Sequence, residues 1–240
     1  MADKVALISG ANKGIGKEVA RQLGKKGFKV LMGSRDLARG ESAAEELRKD
    51  GLDAEAIQLD VLVDASVDHA LERIEKTHGR LDVLVNNAGI FVETASGYEA
   101  TVDAVEKTMQ TNFIGPLRLL KKSVPLLEKS GAGRVVNVSS TLGSHGRMSD
   151  PASPYSDFAM IGYSGSKSAL NMLTIIAAEK LLEKKIKVNS ICPGYVATDI
   201  NNNSGPRSVE QGARIVVQMA TLPDDGPTGT YVNDEGIIPW

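Results

Sequence analysis

Tyr163 and Lys167 stand four residues apart in Tyr-Ser-Gly-Ser-Lys, a spacing that puts a phenol and an ammonium on one face of a helix. Such a pair can donate a proton to a carbonyl oxygen. An unperturbed tyrosine, with a pKa near ~10, is a poor acid at neutral pH unless a nearby cation favours its phenolate, and Lys167 can supply that charge. The other tyrosines, Tyr98, Tyr155, Tyr195 and Tyr231, have Val102, Ala159, Asp199 and Glu235 at the same spacing. An amphipathic surface helix could carry the same two residues, so the surrounding elements must decide.

Those elements form a pattern. Val5-Ala-Leu-Ile-Ser9 reads as a short buried strand that runs into Gly10-Ala-Asn-Lys-Gly14-Ile-Gly16 and then a helical stretch. A strand, a glycine-rich turn and a helix start make a phosphate site, because glycine lets the backbone approach a pyrophosphate and the helix N-terminus favours the anion. Further strands are expected near 29–33, 56–60, 81–86, 134–139, 187–192 and 229–232, most of them rich in Val, Ile and Leu. Helices are expected over 14–25, 38–49, 63–77, 101–128, 163–184 and 208–219. Strict alternation predicts an α/β fold, a single Rossmann-type, doubly wound parallel sheet of about seven strands with helices on both faces. One irregular stretch, 142–162, is too long for an ordinary connection and reads as an insert.

Composition narrows the class. A chain of 240 residues is expected to form one domain over 1–240, and its net charge of -2 offers no basic surface for nucleic acid or an anionic membrane. Cys192, the one cysteine, has no partner for an internal disulfide, no apolar run approaches the ~20 residues of a membrane helix, and the first strand leaves no room for a leader. A cytoplasmic location is therefore the expectation. His69, His78 and His145 are scattered and predict no metal site. Cys192 reads either as a small buried residue or as a reactive thiol near the cofactor.

In order along the chain come Gly10-x-x-x-Gly14-x-Gly16, Asp60, Asn86-Asn87-Ala88-Gly89, Asn112, Ser140, Tyr163 with Lys167, and Pro193-Gly194. This series resembles the short-chain dehydrogenases/reductases over nearly the whole chain. Asn12-Lys13, Ser34-Arg35-Asp36 and the closing segment 229–240 look most like the carbonyl reductase branch. The resemblance implies that Asn112, Ser140, Tyr163 and Lys167 are catalytic. Tyr163 would be the proton donor, Ser140 would hold the substrate oxygen, and Lys167 would bind the nicotinamide ribose and lower the Tyr163 pKa. Ser139 then reads as a structural neighbour, since strand alternation turns its side chain away from that of Ser140. Pro116 has no N–H to return to the Asn112 carbonyl four residues earlier, which would leave that carbonyl free for a water in a proton relay; a simple kink is the other reading.

The resemblance also implies a cofactor site. Gly10, Asn12, Lys13, Gly14, Ile15 and Gly16 would surround the pyrophosphate. Asp60 and Val61 would contact the adenine, and Asn87, Ala88 and Gly89 would run beneath the ribose. Pro193, Gly194, Val196 and Thr198, with Tyr163 and Lys167, would complete it. An NAD site usually has an acidic residue at the end of the second strand; this position is Ser34, and Arg35 with Lys13 could converge on a 2′-phosphate. NADPH/NADP+ is therefore expected, although Asp36 could neutralise Arg35 or reach the ribose. Leu142, Tyr195 and Trp240 are placed in a substrate pocket whose other apolar walls are Phe91, Met148, Phe158, Met160, Ile161, Val196 and Ile200, with Trp240 alternatively a packing anchor.

The function expected is NADPH-dependent reduction of a hydrophobic aldehyde or ketone. An NAD-dependent alcohol dehydrogenase and a non-catalytic NADPH-sensing scaffold are the alternatives. The expected partner is the small carbonyl substrate, without nucleic acid or membrane. Ser140 and Tyr163 are 23 residues apart, longer than the family's common spacing. The extra chain is expected to fold over the fifth helix and bury Phe158, Met160 and Ile161, favouring a monomer over a dimer or tetramer.

Overall fold

The computed structural model describes residues 4–95, 97–155, 158 and 160–240, so Ser156, Asp157 and Ala159 of the expected insert lie outside the described residues. Its strands are β1 (Val5–Ser9), β2 (Lys29–Ser34), β3 (Ala54–Gln58), β4 (Val83–Asn86), β5 (Arg134–Val138), β6 (Lys187–Ile191), β7 (Tyr231–Asn233) and β8 (Gly236–Ile237). They form one sheet in the order β3-β2-β1-β4-β5-β6-β7-β8. The first seven are parallel, and β8 turns back antiparallel to β7. The helices are α1 (Gly14–Lys25), α2 (Leu37–Lys49), α3 (Asp64–His78), α4 (Val102–Met109), α5 (Gly115–Lys129), α6 (His145–Met148), α7 (Ile161–Lys180) and α8 (Val209–Ala220).

Two cores form because successive residues of a strand face opposite sides. In β1, Ala6 and Ile8 join α1, α2 and α8 on one face through Val19, Leu23, Leu47 and Val216. Val5 and Leu7 join α3, α5 and α7 on the other through Val67, Ile74, Leu119 and Ala177. All five β1 residues are buried, as a sheet covered on both sides requires. The order reverses between β1 and β4, the place where open α/β sheets bind ligands beyond their carboxyl ends.

Several expectations are corrected. An eighth strand, Gly236–Ile237, was not anticipated; a strand of two residues carries no periodicity to read. The single helix expected over 101–128 is broken into α4, a π-helical turn at Gln110–Ile114, and α5. The break has a cause: Pro116 cannot donate an N–H, and the Gly115 N–H bonds the Gln110 carbonyl five residues back. The third strand starts at Ala54, two residues before its expected start, and the seventh starts at Tyr231, two residues after.

The last correction concerns the insert. Ser144 Oγ donates to the Pro239 carbonyl at 2.5 Å, and the Gly146 N–H to the Trp240 carbonyl at 2.8 Å. At its far end Met160 bridges to Gly97. The segment is thus tied to the closing residues and to the 93–97 stretch. Phe158 and Ile161 stay 64% and 52% exposed, so the insert does not bury them over α5.

Candidate active site

At the carboxyl end of β1, Gly10 takes a left-handed φ of 65°, and a side chain there would meet Ala88 Cα at 2.9 Å. A Cβ on Gly16 would lie 2.5 Å from Asn87 Nδ2, which donates to the Ser9 and Gly10 carbonyls. Ser9 Oγ accepts from the N–H groups of both Asn87 and Ala88, locking the segment after β4 beneath the turn after β1. Helix α1 begins here with no side-chain cap and no acidic residue in its first turn, whereas α2 and α8 are capped by Asp36 and Ser208. Its first N–H groups can therefore serve an anion.

The neighbouring segments complete a cradle. Thr198 stands beside Gly14, 3.6 Å from where its Cβ would be. Gly194 has a φ of 78°, and its missing side chain makes room for Arg207, which pairs with Asp234. Val196 is buried, Ile15 packs on the core, and Asn12 is half-buried. The Asp60 carboxylate accepts from the Leu62 N–H, and the Val61 carbonyl accepts from Arg118. A groove of about 830 Å³ leads past Arg35, Leu62, Ile90, Gln110 and Ile114.

Charges around β2 are arranged differently from a simple convergence. Lys13 is held by Asp199 at 2.5 Å rather than left beside Arg35, which makes no ion pair among the described residues. Ser34 is buried and donates to the Asp36 carbonyl at 2.7 Å. The Asp36 carboxylate accepts the Arg39 N–H and pairs with the Arg39 guanidinium at 3.4 Å.

Helix α7 turns an unusual face to the sheet. Ser166, Lys167, Asn171 and Thr174, all polar, are at most 5% exposed. Each finds a partner, as buried polar groups must. Lys167 Nζ donates to the Val138 carbonyl at 2.9 Å, and Asn171 Nδ2 to the Gly143 carbonyl at 3.1 Å. Thr174 joins Asn137 and Ser190, and Asn137 in turn accepts from Asn86. A polar ladder therefore crosses β4, β5 and β6 directly under the helix that carries Tyr163.

Tyr163 and Lys167 meet as expected, with Lys167 Nζ 5.6 Å from the centre of the Tyr163 ring. Gly89 sits against them, its Cβ position 3.7 Å from Lys167 Nζ and 3.4 Å from Asn112 Oδ1. Burial, more than any charge, pushes the half-buried Tyr163 phenol up to about 12, while a hydrogen bond from Ser140 pulls the other way. Burial also lowers Lys167 to about 8.

Asn112 is fully buried, and its side chain serves the backbone: Oδ1 accepts the Ile90 N–H at 2.8 Å, and Nδ2 donates to the Ile90 carbonyl and to Ser166 Oγ. Ser140 Oγ accepts from the Leu142 N–H at 3.3 Å, and Leu142 is half-buried. Ser139 is buried. Cys192 Sγ accepts N–H groups from Thr141 and Gly194, following Pro193 into the next segment. Of the proposed pocket residues, Phe91 meets the Tyr163 ring edge-on at 5.5 Å, and Tyr195 is 56% exposed with its hydroxyl at Ser204. Trp240 stacks on Tyr231 at 5.5 Å, the arrangement of a packing anchor.

Sequence reading missed Glu93, a buried carboxylate that accepts the backbone N–H groups of Gly162 and Tyr163. No motif marks it. The signal available was an isolated acidic residue in an otherwise apolar stretch after Gly89.

An open parallel sheet with a glycine cradle at its switch point and a Tyr/Lys pair beside it defines a dinucleotide-binding oxidoreductase. The short chain dehydrogenase model matches residues 4–208, and the chain belongs to that family. Carbonyl reductase [NADPH] 1 from Sus scrofa is 34% identical over 277 aligned positions, covering 99% of this chain and 94% of that protein. Short-chain dehydrogenase/reductase 1 from Saponaria officinalis is 33% identical, covering 99% and 96%. The structure of salutaridine reductase from Papaver somniferum superposes with a TM-score of 0.84 at 30% identity, covering 96% of this chain and 99% of that one. The protein is therefore a carbonyl reductase-like oxidoreductase of the short-chain family.

Proposed function

We propose that this oxidoreductase uses NADPH to reduce a hydrophobic aldehyde or ketone, with Tyr163 as the proton donor. The observation that carries the reading is the convergence of Ser140, Tyr163 and Lys167 beside Gly89, at the carboxyl edge of the sheet. The residues fit a dinucleotide: Gly10 and Gly16 let the turn after β1 close onto Ala88 and Asn87 with no side chain in the way, and the first turn of α1 offers uncapped N–H groups. When bound, the reduced nicotinamide supplies a hydride. Ser140 would donate a hydrogen bond to the substrate oxygen, Tyr163 would deliver the proton, and Lys167 would bind the ribose and replace that proton. The π turn at Asn112 supports a relay to solvent, because Pro116 has no N–H to return to it. Gly10 to Gly16, Asp60 with Val61, Asn87 to Gly89, and Pro193 to Thr198 would hold the cofactor.

NADPH is favoured over NADH for a chemical reason. Asp36, the carboxylate that could receive ribose hydroxyls, is already used as the α2 cap and on Arg39, while Arg35 is uncommitted. The name of the Sus scrofa relative, with its stated coenzyme, supports the same choice. Leu142 and Tyr195, joined by Phe91, would receive an uncharged, apolar substrate. We further propose a single domain over 1–240 and a cytoplasmic location; no described helix is long and apolar enough to cross a membrane.

A panel of steroid, quinone, aromatic ketone and aldehyde substrates with NADPH, followed by loss of reduced-nicotinamide absorbance, tests the activity. Replacing Ser34 with Asp and Arg35 with Ser is expected to move the kcat/KM preference toward NADH. An unchanged preference would make Arg35 an ordinary surface charge.

A further inference from the structure

Glu93 is 5% exposed, yet the catalytic reading above gives it nothing to do. Its Oε1 accepts the Gly162 N–H at 2.8 Å, and its Oε2 accepts the N–H of Tyr163 itself at 2.6 Å. Helix α7 has no side-chain cap of its own at Met160, so this carboxylate from a distant loop satisfies two of its first N–H groups. Gly162 is shaped for it: a Cβ there would stand 3.0 Å from the Glu93 carboxyl carbon and Oε2, and 3.0 Å from Val105 Cα.

The loop that delivers Glu93 is the one that floors the cofactor cradle. Within a few residues, Gly89 approaches Lys167, Ile90 is clamped in both directions by Asn112, and Phe91 meets the Tyr163 ring edge-on. One short segment therefore holds Tyr163 at two points, ring and backbone. We propose that Glu93 is a positioning residue, bracing the Tyr163 phenol against the loop after β4 that also meets Lys167 and Asn112. A displacement of about 1 Å at the reacting atoms can cost ~100-fold in rate, so such a brace acts on turnover rather than on affinity.

This inference rests on Tyr163 being the proton donor, and the test separates the two. Glu93→Gln keeps the shape but offers an N–H₂ to one of two N–H groups; Glu93→Asp keeps the charge but is one methylene shorter; Gly162→Ala presses on the carboxylate from the other side. Each is expected to lower kcat by about tenfold or more, with the NADPH Kd from fluorescence titration within about twofold of wild type. The apparent pKa of the alkaline limb of kcat, where a proton donor is lost, should shift with it, since the phenol changes surroundings. The double variant Glu93→Gln with Gly162→Ala should lose little beyond either single change, because both break one brace. Unaltered kcat and pH profile with only a lower melting temperature would reduce Glu93 to a helix cap and overturn the proposal, as would full recovery by Glu93→Asp. Tyr163→Phe in the same assay guards the premise: turnover in that variant would remove the proton-donor reading first, whereas loss there beside unaffected Glu93 variants would sink the brace alone.

Discussion

In the proposed reaction Tyr163 would release a proton at neutral pH from a phenol that burial pushes up to about 12. Proton transfer to an alkoxide runs downhill even from such an acid, but removing the phenol leaves no donor in its place. Tyr163→Phe is expected to cut kcat by ~100 to 10,000-fold while leaving NADPH binding intact, read by steady-state turnover and fluorescence titration. Lys167 presents the complementary case. Its pKa falls from 10.5 to about 8, so the unfolded chain binds the proton more tightly, and between those values stability rises with pH. Below pH 8 the buried ammonium costs about 3 kcal/mol. Lys167→Met should remove that cost and lose about 1 kcal/mol for the orphaned Val138 carbonyl. Urea unfolding without cofactor should therefore show the inactive variant to be more stable at pH 7, by about 2 kcal/mol, with the advantage shrinking toward pH 10. A variant less stable at pH 7 would mean that the ammonium is better solvated than its burial implies.

Among elements, the π turn between α4 and α5 sets two sites at once. It seats Gly115 against Val61, where a Cβ would be 2.7 Å from Val61 Cγ2, and it leaves Asn112 facing Ile90. Gly115→Ala should cost about 1–3 kcal/mol by overpacking against Val61, and, on the proposal that Asp60 and Val61 contact the adenine, it should weaken NADPH binding. Denaturant midpoints and cofactor titration check both. Undiminished cofactor affinity would separate Val61 from the cofactor. Much of this scale was legible in the chain. The range of α1, the parallel order and the Tyr163/Lys167 face follow from short apolar runs and glycine turns, which are local signals. The π turn was hidden because its cause, a missing N–H at Pro116, looks the same in sequence as a kink. Glu93 was hidden because a long-range cap leaves no spacing to read. The burial that raises Tyr163 depends on packing from several segments and has no local trace.

For the molecule as a whole, the described surface changes what to expect of self-association. The monomer expectation depended on Phe158, Met160 and Ile161 being covered; Met160 is half-buried, but Phe158 and Ile161 are exposed. Met172 and Ile176 on α7 are also more than half exposed, continuing the apolar line from Ile161 along one helix. With that face in contact with water, we expect a symmetric dimer through α7 at micromolar concentration. Light scattering checks it, and Met172→Lys with Ile176→Lys should return the mass to 25.5 kDa if the face is the contact. A wild-type mass of 25.5 kDa at every concentration would restore the monomer.

The insert is pinned at its start by Pro239 and Trp240 and at its end by Gly97, while Tyr163 and Lys167 belong to α7, packed on the sheet. Closing a longer loop between fixed posts costs little, about 0.6 kcal/mol for each doubling of length. The alignment with the Sus scrofa relative runs over 277 positions, 37 more than this chain has residues, so it contains insertions relative to this chain. A loop fastened in this way can be lengthened, shortened or exchanged wholesale while the sheet and α7 stay in place. Substrate range in this architecture is therefore cheap to alter by grafting: a chimera bearing another member's segment between Ser149 and Phe158 should fold normally and change its preferred carbonyl.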